Sequence, residues 1–362
     1  MNNTTHSRKW LRLAIAAGIL LFPVFGFAAG NNSNRTITVM TRNLYDGVDA
    51  EVAQLLQDLS TGASPEVIVF HAGQVMAAAK ASDFPGRAAL IAKEVASVRP
   101  ELISVQEAIL YRSQCPTDWV AGNADFVEID FLHELLTALA NERLHYEVVA
   151  VSQNIDIEMP GLTAQGLCDL RMTDRDVVLA RTDEVKVSNV QAAHYATVCY
   201  STVPWIRGWI SADVKTNGRT FRFISTHLDI EECAAEQTQQ AMELLAGSAN
   251  TDLPVVVAGD LNSDAYGVQK PTPTYPALIA AGFVDTWSAV HGDDVVYTCC
   301  HDPHLANPVP FSSEQKRIDV ILTRGGLSAI TAVRLGADPE DRTAAGLWAS
   351  DHAGMAARVA IH

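Results

Sequence analysis

Apolar runs of strand length recur along this chain, and each stops at an acidic, amide or imidazole residue. TITVMTRN ends at Asn43, ELISVQE at Glu107, FRFISTHLD at His227 and Asp229, and PVVVAGDLNSD at Asp260, Asn262 and Asp264. RIDVILTR is built around Asp319, and a last string, SDHAG, sets Asp351 beside His352. Nearly continuous apolar runs rich in β-branched residues read as buried strands of a sheet covered on both faces. Their chemistry would then collect at one edge. A chain with this pattern must fold so that six distant segments deliver polar residues to a common place.

Between these runs lie helical patterns. FPGRAALIAKEVASVRP carries Ala88, Ile91, Ala92, Val95 and Val98 at helical spacing, stops at Pro100 and feeds ELISVQE. EQTQQAMELLAGSANTDLP passes into VVVAGD with Gly247 and Pro254 as breakers. DVVLAR and GWISADVKTNGRTFRFISTHL add strands, and Asn217-Gly218 is a hairpin signal. From Asp46 to Phe84 the pattern is helical but less regular, an insertion beside the polar ends. Interleaved helices and direct hairpins predict an α/β fold with mixed sheets, a sheet sandwich flanked by helices. The polar ends run from Asn43 to His352, which predicts one domain over residues 29–362.

Residues 1–28 have a signal-peptide layout. His6, Arg8, Lys9 and Arg12 precede the apolar run Leu13 to Phe27, and Gly26 and Ala28 fit cleavage after Ala28. Export to the periplasm or beyond is the expectation. The six cysteines fit an oxidising compartment and disulfides, with no CxxC pair for a zinc site. Six cysteines allow fifteen pairings. A bridge between Cys299 and Cys300, about 3.8 Å apart across a trans peptide, is expected to be strained or replaced by other partners. The formal charge of −16 argues against a broadly basic nucleic-acid-binding surface, although a bound cation would still accept phosphate.

Taken singly, most of the strand-end residues are turn or cap residues. As an ordered set they describe a reaction. Glu107 is a candidate ligand for a hard divalent cation, helped by Asn43 or Asp351. Asp260 and Asn262, two apart on an extended strand, would share a face, where they can orient a water and hold a phosphate oxygen. Asp351-His352 offers an anion and a proton carrier, and Asp319 is placed to fix the tautomer of that histidine.

TRNLY, SVQEA, THLD, GDLNSD, RID and SDH, in this order, resemble the endonuclease/exonuclease/phosphatase superfamily, metal-dependent phosphoesterases related to DNase I, over about residues 37 to 362. The resemblance implies a four-layered α/β sandwich, two mixed β-sheets flanked by helices, and dependence on Mg²⁺ or Mn²⁺. It implies metal-side roles for Asn43, Glu107 and Asp351. It also implies catalytic roles for His227, Asp260, Asn262, Asp319 and His352, and a phosphate contact for Arg175, weighed against a surface ion pair. The substrate implied is a phosphodiester, nucleic acid first and a sphingomyelin-type phospholipid second, with small-molecule or inositol phosphates third. No obligate protein partner is implied. A non-catalytic binding module on the same fold is the alternative of another class, and the intact acidic, amide and histidine set argues against it.

Overall fold

A computed structural model describes Met1, residues 36–200 and residues 204–362, and Arg35–His362 form one compact unit. The signal-peptide expectation for residues 1–28 falls outside the described residues beyond Met1. The apolar runs are strands of two sheets. The first, eight-stranded, sheet runs in the order Leu327–Leu335, Gly354–Ile361, Thr36–Asn43, Leu102–Gln106, Gly166–Ala180, Leu110–Gln114, Phe126–Asp130, with Glu147–Thr163 also paired to Gly166–Ala180. The second runs Val284–Asp285, Asp319–Arg324, Val255–Asp260, Arg219–His227, Gly208–Thr216, Lys186–His194. Each mixes parallel and antiparallel pairs.

Strand alternation explains the layers. Ile37, Val39, Leu102 and Val178 of the first sheet pack on Ile210, Phe221, Phe223, Val256 and Ile321 of the second. The opposite face of the first sheet, with Met40, Ile103 and Val105, is covered by the helices Phe84–Val98 and Phe131–Asn141 through Phe84, Ile91, Val95, Phe131 and Leu135. The outer face of the second, with Val255, Val257 and Val320, meets Ala241 and Leu244 of the helix Ala234–Ala246 and Leu278 of Thr274–Ala280. The result is helices, sheet, sheet, helices: the four-layered α/β sandwich implied by the sequence.

Local signals act as expected. Asp83 accepts from the Gly86 N–H at the start of Phe84–Val98, and Arg99 ends that helix in the left-handed region before Pro100. Asn217 (φ 48°) and Gly218 (φ 78°) form the two-residue loop of a hairpin in which Thr216 pairs with Arg219. The irregular stretch after Asp46 is two helices, Asp49–Thr61 and Pro65–Ala81. The long hairpin Glu147–Thr163/Gly166–Ala180 was visible in sequence only as its last segment, DVVLAR.

Three disulfides are formed: Cys115–Cys168, Cys199–Cys233 and Cys299–Cys300. The last joins neighbours, one of the two outcomes left open by the sequence, but across a cis peptide rather than the trans one assumed there. Among the described residues no helix is long and apolar enough to cross a membrane.

Two fully buried arginines fasten the loops at the strand ends. Arg42 donates to the His352 carbonyl and pairs with Glu94 at 2.9 Å. Arg87 donates to the carbonyls of Ala349 (2.9 Å), Tyr45 (2.8 Å) and Leu44. Burial pushes its pKa down to about 10, so it remains a cation at neutral pH. Arg87→Met keeps the bulk but strands those carbonyls, and a loss of about 3 kcal/mol in urea unfolding is expected. A loss below about 1 kcal/mol would contradict this fastening role.

Candidate active site

Register brings the polar ends level. In the second sheet His227 lies opposite Asp260, and Asp260 opposite Asp319. In the first, Asn43 pairs with Gln106, so Glu107 follows beside it. The pairing of Thr41 with Met355 leaves Asp351 and His352 just beyond the same edge. Gly259 is required here, since a Cβ would fall 1.9 Å from the Thr226 carbonyl oxygen.

The two sheet edges meet through Asn43. Its amide donates to Glu107 Oε1 at 2.8 Å and Asp260 Oδ2 at 3.2 Å, while its Oδ1 accepts from the Tyr45 N–H. The other Glu107 oxygen accepts from the Asp46 N–H at 3.0 Å. Glu107 itself sits at φ 56°, a left-handed conformation that costs a non-glycine residue roughly 1–2 kcal/mol.

His352 Nδ1 is bonded to Asp319 Oδ2 at 2.8 Å, and its Nε2 lies 3.8 Å from Asp351 Oδ1. Burial opposes charge on this imidazole, but Asp319, Asp351 and Asp260 outweigh it and hold the pKa well above the usual value. His227 Nε2 is 3.7 Å from Asp260 Oδ2. Burial would raise the pKa of Asp260, yet His352 and His227 pull it below the ordinary value, so Asp260 is ionised.

Asn262 reaches the cleft by a different route from the one expected. The strand ends at Asp260, and Asn262 follows in a turn at φ 49°, its N–H donating to Asp260 Oδ1 at 2.8 Å and its side chain to the Leu228 carbonyl at 3.0 Å. Strand alternation therefore does not place it. Asp264 is a turn residue, accepting from the Tyr266, Val268 and Arg317 N–H groups.

Asn43, Glu107, His227, Asp260, Asn262, Asp319, Asp351 and His352 are thus gathered, whereas Arg175 is not. Its guanidinium donates to the Ala108 carbonyl at 2.7 Å and pairs with Asp130 at 2.5 Å. Alternation along its strand turns Arg175 away and turns Asp174 and Asp176 inward. Both are buried, and both accept from Asn154. Arg207, which was not among the sequence candidates, lies in the cleft, 3.0 Å from His227 Nδ1 and 3.6 Å from Asp229. Asp46 and Asp49, at the head of the inserted helices, also line the cleft and were not among the sequence candidates. Only their position directly after TRNLY pointed to them.

The cleft, about 470 Å³, is walled by ten carboxylates and two fixed cations, Arg207 and Lys316. Lys316 is engaged with Glu231 at 2.5 Å and with Glu314. Desolvation, then Asp49 and Glu107, push Asp46 well above the usual carboxylate range, and desolvation lifts Asp351 to about 6. Oxygen donors that raise one another in this way fit a hard divalent cation, whose charge would relieve them. The vicinal disulfide forms part of the wall, with Cys299 Sγ within 4.8 Å of ligand atoms of Asp351 and His352.

A mixed α/β sandwich with an acidic, amide and histidine cluster where its sheet edges meet defines a DNase I-like fold. Residues 72–352 match the Endonuclease/Exonuclease/phosphatase family, and the chain belongs to it. Solved structures similar to it include an endonuclease/exonuclease/phosphatase family protein from Leptotrichia buccalis C-1013-b. That protein has 15% identity, a TM-score of 0.55, and coverage of 89% of this chain and 99% of that one. The endonuclease/exonuclease/phosphatase from Bacteroides vulgatus is similar at 16% identity and TM-score 0.54, over 90% and 99%. D. rerio TDP2 complexed with single strand DNA product follows at 17% and 0.50, over 90% and 98%. No curated protein matches the sequence.

Beside the cleft, His301 stacks between Phe311 and Trp348, and its Nδ1 accepts from the Phe311 N–H at 3.2 Å. Burial, then Arg42 and His352, push its pKa down to about 3. A depressed pKa makes the neutral ring the folded form, so this contribution to stability is full above about pH 6.5 and is lost as pH falls toward 3. In His301→Gln the fall in stability between those limits should be shallower by urea unfolding. An identical pH profile would refute the assignment.

Proposed function

We propose that this cleft hydrolyses phosphodiesters with a divalent cation, Mg²⁺ or Mn²⁺, by in-line attack of water on phosphorus. The observation that carries the reading is the bridging of Glu107 and Asp260 by one asparagine, which brings a metal-type ligand and an ionised carboxylate together. Glu107, with Asn43 and Asp351, would hold the cation. When bound, it would polarise the phosphoryl oxygens and ease deprotonation of water.

The remaining residues act by position and charge. Asp260, held ionised by two histidines, orients the water and accepts its proton. Asn262 retains a second amide hydrogen for a phosphate oxygen. His352, fixed by Asp319, meets the phosphate as a cation. His227, with Arg207 behind it, stabilises charge on the leaving oxygen or returns a proton to it. Arg175 is assigned to holding the turn after Glu107 rather than to phosphate.

Two substrate readings have support. Nucleic acid is supported by the DNA product named for the D. rerio structure. A phosphoester with an apolar arm is supported by Val52, Leu56, Ile109, Ile155 and Met172 on one cleft wall. Carboxylates outnumber the cations Arg207 and Lys316 on the cleft wall, an excess that opposes an extended polyanion more than a single phosphoester and so favours the second. We also propose that residues 1–28 are removed on export and that the remainder acts as one domain in an oxidising compartment, as the three disulfides support.

Release of p-nitrophenol from bis(p-nitrophenyl) phosphate should require Mg²⁺ or Mn²⁺ and stop with a chelator. Glu107→Gln and His352→Ala should each lower kcat/KM by about 100-fold or more, while Arg175→Met leaves at least a tenth of the activity. Equal turnover in Glu107→Gln and wild type would remove the basis of this reading.

A further inference from the structure

The cleft does not stop at its carboxylates. Val52, Leu56, Ile155 and Met172 also line a second pocket, of about 100 Å³, between the helices Asp49–Thr61 and Pro65–Ala81 and the long hairpin Glu147–Thr163/Gly166–Ala180. Its walls are aliphatic or methionine side chains apart from Tyr111 and Arg171. Neither offers an unspent polar face: the Tyr111 hydroxyl donates to the Asp46 carbonyl at 3.1 Å, and Arg171 grips Asp156 with two donors, at 2.8 and 2.5 Å.

The gap is preformed. Gly73 lets the second helix lie directly on the hairpin, where a Cβ would meet the Leu162 carbonyl oxygen at 1.9 Å, and the first helix is joined to the second by a short turn. A preformed apolar pocket that shares Val52, Leu56, Ile155 and Met172 with a polar reaction cleft lies beside it and can bind an apolar group without first ordering its walls.

We propose that this pocket receives the alkyl arm of a phosphoester substrate whose phosphorus lies in the carboxylate–histidine cleft. The proposal rests on the phosphodiesterase reading and narrows it to esters bearing a hydrocarbon chain. A nucleobase is a poor occupant, because its polar edge would find no donor or acceptor here. In size the pocket approaches cavities of roughly 150 Å³ that hold a benzene ring, which corresponds to about four to six carbons. Longer chains would extend past it.

The test is a series of p-nitrophenyl alkyl phosphodiesters from methyl to decyl, assayed with Mg²⁺. In the wild type kcat/KM should rise by up to about fourfold per methylene to near hexyl and then flatten. Val75→Trp, which fills the pocket, and Leu59→Asp, which makes it polar, should bring the hexyl-to-methyl ratio toward one. Both side chains line the pocket and not the cleft. A flat wild-type series in which the methyl ester is still cleaved would overturn the proposal and leave the phosphodiesterase reading intact. If no ester is cleaved, that reading fails, and calorimetric titration of hexyl against methyl phosphate decides the pocket alone. Tighter hexyl binding that is lost in Val75→Trp supports it, and equal affinities overturn it. Concentration-dependent dimerisation abolished by Val75→Trp would assign the pocket to a second copy of the chain instead.

Discussion

One side-chain amide joins the two halves of this molecule at the point where its chemistry collects. Asn43 ends a central strand of one sheet and donates both to Glu107, at the end of the neighbouring strand, and to Asp260, at the end of a strand in the other sheet. The contact requires both sheets to be stacked with their strand ends level. Below it, Ser104 of one sheet bonds Ser225 Oγ at 2.6 Å and the Ala258 carbonyl at 3.0 Å of the other, so the stacking is fixed by hydrogen bonds as well as by apolar packing. The register pairs His227–Asp260 and Asp260–Asp319 then follow without further adjustment.

That arrangement concentrates negative charge, and charge of one sign in a partly dry cleft is costly. The protein meets the cost unevenly. Asp260 is compensated by two histidines, His352 by Asp319, and Arg207 by Asp174 and Asp229. Asp46 and Asp351 are left raised. The uncompensated side is the one nearest Glu107, where a cation is proposed to bind. The buried Arg42 and Arg87 serve the loops that carry these groups by bonding their backbone carbonyls, so their charge is spent on shape.

Most of the fold and much of the site could be read in the sequence, because buried strands and their polar ends leave a local signature. TITVMTRN, ELISVQE, RTFRFISTH and PVVVAGD each declare their own element. What escaped depends on contacts between distant segments. Arg207 and Arg175 look alike as arginines near strand ends, and alternation sends the second away from the cleft while the approach of His227 brings the first into it. Asn262 obeyed a turn rather than a strand. Asp46 and Asp49 belong to an insertion whose packing no motif announces, and the apolar pocket exists only because helices and a long hairpin, far apart in sequence, face one another.

The central claim is that both sheets contribute to a single cation and phosphate site. Anomalous diffraction from crystals soaked in Mn²⁺ tests it without reference to any substrate. The account predicts a peak within coordination distance, about 2.2 Å, of a Glu107 carboxylate oxygen, on the side of the cleft shared with Asn43 and Asp351. A metal found instead only between Asp260, Asp319 and His352, a group whose ligand atoms lie within 4.8 Å of one another, would contradict it.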